Sequence, residues 1–198
     1  MEQYKHILPD IKTLGQIACA NWRTFASTLT PIDSPDVTWF YVTKDNDQKN
    51  FTASNGHSEV RPYGECETVN GSQWLVLTLL DEGWDSSTRL HPLIAERFGN
   101  IIEVLKTIPG LSVATIHCLG KGVDITPHND GTDDRNRTTL ISIFEPDDDI
   151  RLYVNGNSYN PKGIFSFNSF LPHAVKNTTN EDWVYFVLRI AKEQYVID

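Results

Sequence analysis

The chain has 198 residues, of which 39% are hydrophobic and 22% are charged, a balance that excludes a disordered protein and suits one folded domain. The formal net charge of -9 disfavours nucleic acid or an anionic membrane as the main partner, because both would repel the protein. Met1–Lys12 lacks the basic and apolar segments of a secretory signal. Cys19, Cys66 and Cys118 form no CxxC pair. We therefore expect a cytoplasmic protein without disulfides or a zinc site.

Residues 1–110 are predicted to contain helices and supporting strands. Asp10 is the predicted N-cap of a first helix. Apolar positions at helical spacing follow it: Ile11, Leu14, Ala18, Trp22 and Phe25. The β-branched and aromatic runs Val37–Thr43 and Gln73–Leu80 indicate strands. A second helix is predicted to begin near Pro92 and to end before the Pro109-Gly110 stop signal.

In residues 111–190 the pattern changes, and short strand-like runs follow one another between turn residues. The predicted strands are 111–118, 123–127, 137–144, 150–154, 163–168, 172–177 and 183–190. Turn residues such as Gly120, Asn155-Gly156 and Pro161 separate them. This pattern favours an all-β sandwich or barrel, with the preceding helices packed on its outer face and the whole of 1–198 forming one domain.

Two short motifs in this part of the chain carry candidate metal ligands. Thr126–Gly131 contains His128 and Asp130, and Phe170–Val175 contains His173. Because His128 and Asp130 are two residues apart, an extended strand would direct both side chains to one face. Two imidazoles and one carboxylate form the facial triad of non-heme Fe(II) oxygenases. The alternative for the short His-x-Asp motif alone is a simple hydrogen-bonded pair in a turn.

The order and spacing of several motifs resemble the aspartyl/asparaginyl β-hydroxylase family of 2-oxoglutarate oxygenases. Ile108–His128 is similar to the family's pattern from an "iPGl" turn through a strand to "PGxxIxPH". Thr132, Arg135 and Arg137 keep the family spacing after that histidine. Gly163–Asn177 is similar to "GkxxxFDDSFxHxVxN", although its serine is displaced by one residue. The resemblance covers about residues 74–190.

The resemblance implies a mainly β fold with flanking helices, namely the double-stranded β-helix (a jelly-roll or cupin-like barrel). It also implies Fe(II), 2-oxoglutarate as co-substrate, and O2. The better-known members of the family have glycine two residues after the first histidine, whereas this chain has Asp130. Asp130 restores the ordinary triad with His128 and His173. These three residues are therefore the predicted metal ligands and catalytic centre.

The position of the cation that holds 2-oxoglutarate is a second departure from the family pattern. The family commonly has an arginine ten residues after the distal histidine, where this chain has Trp183. Arg137 matches the family's oxo-acid-contacting arginine, and Arg189, at an even offset from Trp183, is the other candidate. For both, a solvent-exposed arginine is the alternative. His117 matches an oxo-acid contact of the family, and a structural core histidine is the alternative.

The hypothesis is a 2-oxoglutarate-dependent dioxygenase that hydroxylates an amino acid, a peptide or a related small substrate. Two alternatives stay open at this point. A cupin-like metal enzyme that does not use 2-oxoglutarate needs the same ligands but no cationic clamp. A non-catalytic binding module would keep only the barrel. Binding of 2-oxoglutarate to the metal-loaded protein would distinguish the hypothesis from the cupin-like metal enzyme. Oxygen-dependent release of succinate would distinguish it from the binding module.

Overall fold

The computed structural model of the protein describes residues 5–22, 60–62, 66–67, 74–82, 92–130 and 136–191. A 3-10 helix spans Lys5–Ile7, α1 spans Leu8–Ala18, and α2 spans Pro92–Leu105. The strands are β1 (Val60–Pro62), β2 (Cys66–Glu67), β3 (Trp74–Asp81), β4 (Leu111–Leu119), β5 (Asp124–His128), β6 (Asn136–Ser142), β7 (Ile150–Val154), β8 (Asn157–Tyr159), β9 (Ile164–Phe167), β10 (His173–Asn177) and β11 (Trp183–Ala191). The predicted strand Val37–Thr43 lies outside the described residues.

The strands form two antiparallel sheets. The larger sheet has the order β1-β3-β4-β11-β6-β9, and the smaller has the order β2-β5-β10-β7-β8. From β4 onward, the first strand pairs with the last, the second with the seventh, the third with the sixth and the fourth with the fifth. From β4 onward the chain thus forms one long hairpin, and successive strand pairs of this hairpin lie in opposite sheets. This arrangement is the double-stranded β-helix of jelly rolls and cupins, and it confirms the predicted fold.

Strand β11 shows how both faces of the larger sheet are used. Alternate side chains of a strand point to opposite faces, so one set packs toward the helices and the other toward the second sheet. The helix-facing set is Val184, Phe186, Leu188 and Ile190, and the inward set begins with Trp183, Tyr185 and Val187. Because both faces are covered, β11 is an almost continuous apolar run. The helices lie on the outer face of the barrel, as predicted.

The two helices are fixed against each other by a contact at the C-terminal end of α1. Helix α1 begins two residues before the predicted N-cap, so Asp10 lies in the first turn, where a carboxylate stabilises the positive end of the helix dipole. At the other end, the guanidinium of Arg97 on α2 donates hydrogen bonds to the carbonyl oxygens of Ala18 and Ala20. A cation therefore faces the negative end of the dipole.

Gly15 is the closest point of approach between α1 and the larger sheet. A Cβ atom at this position would lie 2.6 Å from a ring carbon of the fully buried Phe186 and 3.3 Å from Cγ1 of Ile143. Overpacking a core costs about 1–3 kcal/mol, more than the roughly 1 kcal/mol that alanine gains over glycine in a helix. We expect Gly15→Ala to lower the free energy of unfolding by about 1–2 kcal/mol, measured by urea denaturation.

Gly99 provides the matched control, since it lies within α2 and no atom lies within 4 Å of the position a Cβ would take. Without the steric penalty, only the helix propensity remains. Gly99→Ala should therefore raise the free energy of unfolding by about 0.5–1 kcal/mol. Equal effects of the two substitutions would contradict the packing argument.

The two cysteines whose side chains are described, Cys19 and Cys118, are thiols buried in the core. Burial raises the pKa of the Cys19 thiol to about 12, although the nearby Arg97 guanidinium acts in the opposite direction. This thiol stays protonated and unreactive at neutral pH. Among the described residues, neither α-helix is long and apolar enough to cross a membrane.

Candidate metal centre and cavity

A cavity of about 260 Å³ lies between the two sheets of the barrel. Inward-facing side chains of both sheets form its walls, and most of them are apolar or carry only a hydroxyl group. The lining residues are Val76, Thr78, Asp81, Val113, Thr115, His117, Ile125, His128, Asp130, Thr138, Leu140, Leu152, Phe167, His173, Val175, Tyr185, Val187 and Arg189. The predicted triad therefore opens onto a cavity large enough for small reactants.

The three predicted metal ligands lie together at this cavity. One side-chain donor atom from each of His128, Asp130 and His173 falls within 4.8 Å of the other two. The two imidazole Nε2 atoms lie 3.7 and 3.8 Å from the oxygens of the Asp130 carboxylate. The imidazole centroids are 4.3 Å apart. Nitrogen and oxygen donors at this separation can reach one common ion.

A β-bulge at Thr126 and Pro127 directs His128 into the cavity. His128 pairs with His173, and Ile125 pairs with Val175, so β5 has two residues where β10 has one. Ile125 and His128 are three positions apart, and in a regular strand without a bulge they would face opposite sides. Proline has no N–H to donate to a neighbouring strand, and a bulge is one of the few places in a sheet that tolerates it.

Asp130 reaches the site by a different route from the one predicted. Strand β5 ends at His128, so the alternation of an extended strand does not extend to Asp130. Instead, the Asp130 backbone N–H donates to the carbonyl oxygen of Ser169 at 2.8 Å, and Asn129 Nδ2 donates to the carbonyl oxygen of Phe170 at 3.0 Å. These bonds tie the loop after β5 to the loop before β10. The two halves of the triad are thereby held together through the backbone.

Both histidines present the nitrogen that a metal requires. Nδ1 of His128 lies 2.8 Å from the Thr126 carbonyl oxygen, and Nδ1 of His173 lies 3.0 Å from the Leu171 carbonyl oxygen. A carbonyl oxygen only accepts, so each Nδ1 carries the proton and each Nε2 keeps its lone pair. Burial lowers the pKa of His173, against the raising effects of the Leu171 carbonyl and Asp130, which favours its neutral form. The donor set therefore fits a divalent transition metal.

Arg189 is the arginine that enters the cavity. Its Nη2 atom lies 3.0 Å from Oδ2 of Asp130, and its side chain is 36% exposed. The even offset from Trp183 to Arg189 places both on the inward face of β11, as predicted from the alternation of a strand. Trp183 fills the interior beyond the cavity: it stacks on Tyr185 with ring centroids 3.8 Å apart, and its Nε1 donates to Ser142 Oγ.

Arg137 is not among the residues that line the cavity, and its contact with 2-oxoglutarate stays a prediction. Arg137 pairs with Ile190, whose side chain belongs to the core on the helix side of the larger sheet. The neighbouring pair, Thr138 with Arg189, faces the cavity instead. Because adjacent residues of a strand point to opposite faces, Arg137 points away from the metal ligands. Arg135 lies outside the described residues.

His117 lines the cavity, whereas its contact with the oxo-acid stays a prediction. Its Nε2 atom lies 2.9 Å from Thr115 Oγ1, and its ring centroid lies 5.2 Å from that of Tyr185. His117 is only half-buried and faces the interior space rather than solid core. The pattern of alternate residues along β4 indicated this face correctly.

Sequence reasoning missed several residues that shape the site. Thr138 Oγ1 donates to Ser169 Oγ at 2.7 Å, and both groups are buried beside the loop that carries Asp130. The ring of Phe167 packs edge-on against the imidazole of His173, with centroids 5.2 Å apart. Ser169 and Phe167 belong to the Gly163–Asn177 pattern, but nothing in that pattern indicates these contacts.

Comparisons with solved structures find cupin proteins at low similarity. The Cnp3 cupin domain of Schizosaccharomyces pombe aligns with 14% identity over 43% of this chain and 58% of its own, with a TM-score of 0.35. A predicted oxalate decarboxylase of Thermotoga maritima aligns with 11% identity over 71% and 99%, with a TM-score of 0.42. The salicylate 1,2-dioxygenase of Pseudoaminobacter salicylatoxidans aligns with 19% identity over 42% and 21%, with a TM-score of 0.33.

No curated protein sequence matches the chain significantly. A family model described as aspartyl/asparaginyl beta-hydroxylase, however, matches residues 20–193. The match covers most of the chain, including all three candidate metal ligands and the strands that carry them. The chain therefore belongs to the aspartyl/asparaginyl β-hydroxylase family.

Proposed function

We propose that the protein is an Fe(II)- and 2-oxoglutarate-dependent dioxygenase that hydroxylates an unactivated C–H bond of an amino-acid, peptide or related small substrate. Its reaction converts substrate, 2-oxoglutarate and O2 into hydroxylated substrate, succinate and CO2. The observation that carries the proposal is the triad of His128, Asp130 and His173 on the wall of the cavity between the two sheets, in a chain of this hydroxylase family. Family and triad together support a metal oxygenase on a cupin-type barrel. When bound there, iron supplies the activation of O2, which no side chain provides.

The role proposed for the triad is to grip the metal from one side only. Three protein ligands leave the remaining positions of an octahedral ion open for reactants. The carbonyl oxygens of Thr126 and Leu171 fix the tautomer and orientation of the two imidazoles. Because the strands and loops hold all three ligands through backbone contacts, the ligands themselves need little rearrangement to accept the ion.

Arg189 is proposed to bind the carboxylate of 2-oxoglutarate that lies nearest the metal. A guanidinium 3.0 Å from the metal-binding carboxylate of Asp130 is beside the metal, not at the far end of the cavity. Its fork of N–H groups suits a carboxylate, and the contact is charge-assisted. In this role Arg189 orients the co-substrate and offsets its negative charge.

The distal carboxylate of 2-oxoglutarate is proposed to lie near Thr115 and His117. Thr115 pairs with Val187, two residues from Arg189 along β11, which corresponds to roughly 7 Å at the rise of a strand. This separation is on the scale of a five-carbon dicarboxylate. The hydroxyl group of Thr115 and the imidazole of His117 already contact each other at 2.9 Å and line the cavity. They offer donors where Trp183 replaces the family's arginine.

The apolar part of the cavity is proposed to keep bulk water away from the reacting atoms. Leu140, Leu152, Val175 and Phe167 form much of its wall, and Trp183, stacked on the lining residue Tyr185, fills the barrel beyond it. A dry cavity strengthens the electrostatic contacts of bound carboxylates and limits side reactions.

Asp81 supports a substrate that carries an amino group. Asp81 lines the cavity and pairs with Val113, which in turn pairs with Arg189. The carboxylate therefore lies in the same row as Arg189 but two strands away, roughly 10 Å between backbones. A negative group on the wall of the same cavity favours an ammonium over a second anion. Free amino acids and short peptides meet this requirement.

The test is an anaerobic titration of 2-oxoglutarate into the Fe(II) or Mn(II) form, followed by aerobic turnover. We expect saturable binding of one 2-oxoglutarate per chain and, with a panel of free amino acids and peptides, succinate and hydroxylated product in equal amounts. The N-acetylated forms of the same compounds serve as matched controls for the role of Asp81 and should react more slowly.

Two results would replace the proposal by one of its alternatives. A metal-loaded protein that does not bind 2-oxoglutarate would be a cupin-like metal enzyme of another type. A protein that binds metal and 2-oxoglutarate but never releases succinate in the presence of O2 would be a binding module. Equal turnover of free and N-acetylated substrates would remove Asp81 from substrate recognition without affecting the reaction type.

A further inference from the structure

The carboxylate of Asp130 has a nearer cationic partner than either histidine. Arg189 Nη2 lies 3.0 Å from Oδ2, whereas the two imidazole Nε2 atoms lie 3.7 and 3.8 Å from the carboxylate oxygens. Arg189 comes from the larger sheet, and both histidines come from the smaller sheet. The aspartate thus contacts a cation of the protein and also belongs to the group that could hold a metal cation.

We propose that Arg189 is an internal cation that competes with the metal for Asp130, and that metal binding releases its guanidinium to take up an anion beside the metal. The first half of this proposal depends only on the triad. The second half rests on the proposed function, since the anion would be the near carboxylate of the oxo-acid. Arg189 lowers the metal affinity through Asp130 in the first half and binds an anion directly in the second.

Arg189 is not needed to hold Asp130 in place. The backbone N–H of Asp130 is fixed by the carbonyl oxygen of Ser169, and the neighbouring Asn129 side chain is fixed by the carbonyl oxygen of Phe170. The imidazoles are oriented by their own backbone contacts. Removing the guanidinium therefore removes a charge from the site and leaves its scaffold intact.

Two electrostatic effects of Arg189 oppose metal binding. The guanidinium contacts Oδ2, one of the two carboxylate oxygens that Asp130 could offer a metal, and its positive charge would repel a dication bound by the triad. The ion pair is partly buried, with side chains 36% and 25% exposed, so water screens it less than a surface pair. A metal that binds Asp130 withdraws charge from the carboxylate and weakens its hold on Arg189. The freed guanidinium then faces the metal side of the cavity.

The first experiment measures the affinity of the metal-free, full-length protein for Mn(II) or Zn(II) by titration calorimetry, without any oxo-acid. Arg189→Gln should bind the metal about tenfold more tightly than the wild-type protein. Arg189→Lys keeps the charge and should stay near the wild-type affinity. Arg137→Gln, which loses the same charge from the opposite face of the larger sheet, should also bind like wild type. Unchanged or weaker binding by Arg189→Gln would overturn the competition.

The second experiment measures the affinity for succinate with and without Mn(II). In the wild-type protein the metal should tighten succinate binding, and by linkage succinate should tighten metal binding by the same factor. Direct contact between succinate and the metal contributes to this coupling in both the wild-type protein and Arg189→Gln. The difference in coupling between the two proteins therefore measures the contribution of the released guanidinium. We expect this coupling to fall about tenfold in Arg189→Gln. Equal coupling in both proteins would refute the release.

These outcomes separate the inference from the proposed function. If Arg189→Gln binds metal more tightly but the wild-type protein never consumes 2-oxoglutarate, the competition stands and the proposed reaction fails. If the wild-type protein releases succinate but Arg189→Gln does not gain metal affinity, the reaction stands and the competition is wrong.

Discussion

The His128→Ala variant is expected to bind Mn(II) or Zn(II) at least about 100-fold more weakly than the wild-type protein and to release no succinate above background. Loss of a contact that merely supports a metal ligand costs about 10–100-fold in affinity, and loss of the ligand itself costs more. Alanine leaves only one imidazole and one carboxylate at the site. Metal titration and a succinate assay with 2-oxoglutarate measure the two effects.

The control is His117→Ala, which removes an imidazole from the same cavity but not from the triad. This variant should keep the metal affinity and weaken the binding of 2-oxoglutarate, if His117 contacts the distal carboxylate as proposed. His128 ends a strand beside the cavity and its side chain is 21% exposed, so its replacement should leave the fold stable. Undiminished metal binding by His128→Ala would remove the triad, and the oxygenase assignment with it.

The fold was predictable because its signals are local. Each strand from β4 onward corresponds to a β-branched or aromatic run bounded by turn residues, with one exception, β8. Asn155 and Gly156 both have positive φ, as a two-residue hairpin requires, and this turn was recognised in the sequence. The strand that follows it, Asn157–Tyr159, is short, polar and exposed, so no hydrophobic pattern marks it.

The candidate site shows where parity arguments succeed and where they fail. Arg189 and Trp183 share one unbroken strand, so their even offset placed both on the inward face correctly. Arg137 was assigned by the family spacing and not by parity, and the face it occupies on β6 is set by the register with β11, which no local pattern reports. His128 and Asp130 were rightly joined, but a bulge and a loop bring them together rather than an extended strand. Local pattern therefore predicts which residues meet more reliably than how they meet.

Asn177→Ala is expected to lower the free energy of unfolding by about 3 kcal/mol or more, the largest stability effect that we predict for a single side chain. The Asn177 side chain is fully buried at the end of β10. Its Nδ2 donates to the carbonyl oxygens of Leu119, Gly120 and Glu181 at 2.9–3.1 Å, and its Oδ1 accepts from the N–H and hydroxyl groups of Thr179. It joins the β4–β5 turn to the β10–β11 turn.

Alanine would leave several of these buried groups without their hydrogen-bond partner, at about 1–3 kcal/mol for each group that water cannot reach. Asn177→Asp should be destabilised at least as much, because a carboxylate would face three carbonyl oxygens instead of donating to them. The neighbouring substitution Thr178→Ala removes one exposed hydrogen bond, to the carbonyl oxygen of Asp149. It should change the free energy of unfolding by less than about 0.5 kcal/mol. Urea denaturation in the presence of EDTA measures all three without a contribution from bound metal. A loss below about 1 kcal/mol in Asn177→Ala would mean that this side chain does not hold the two turns together.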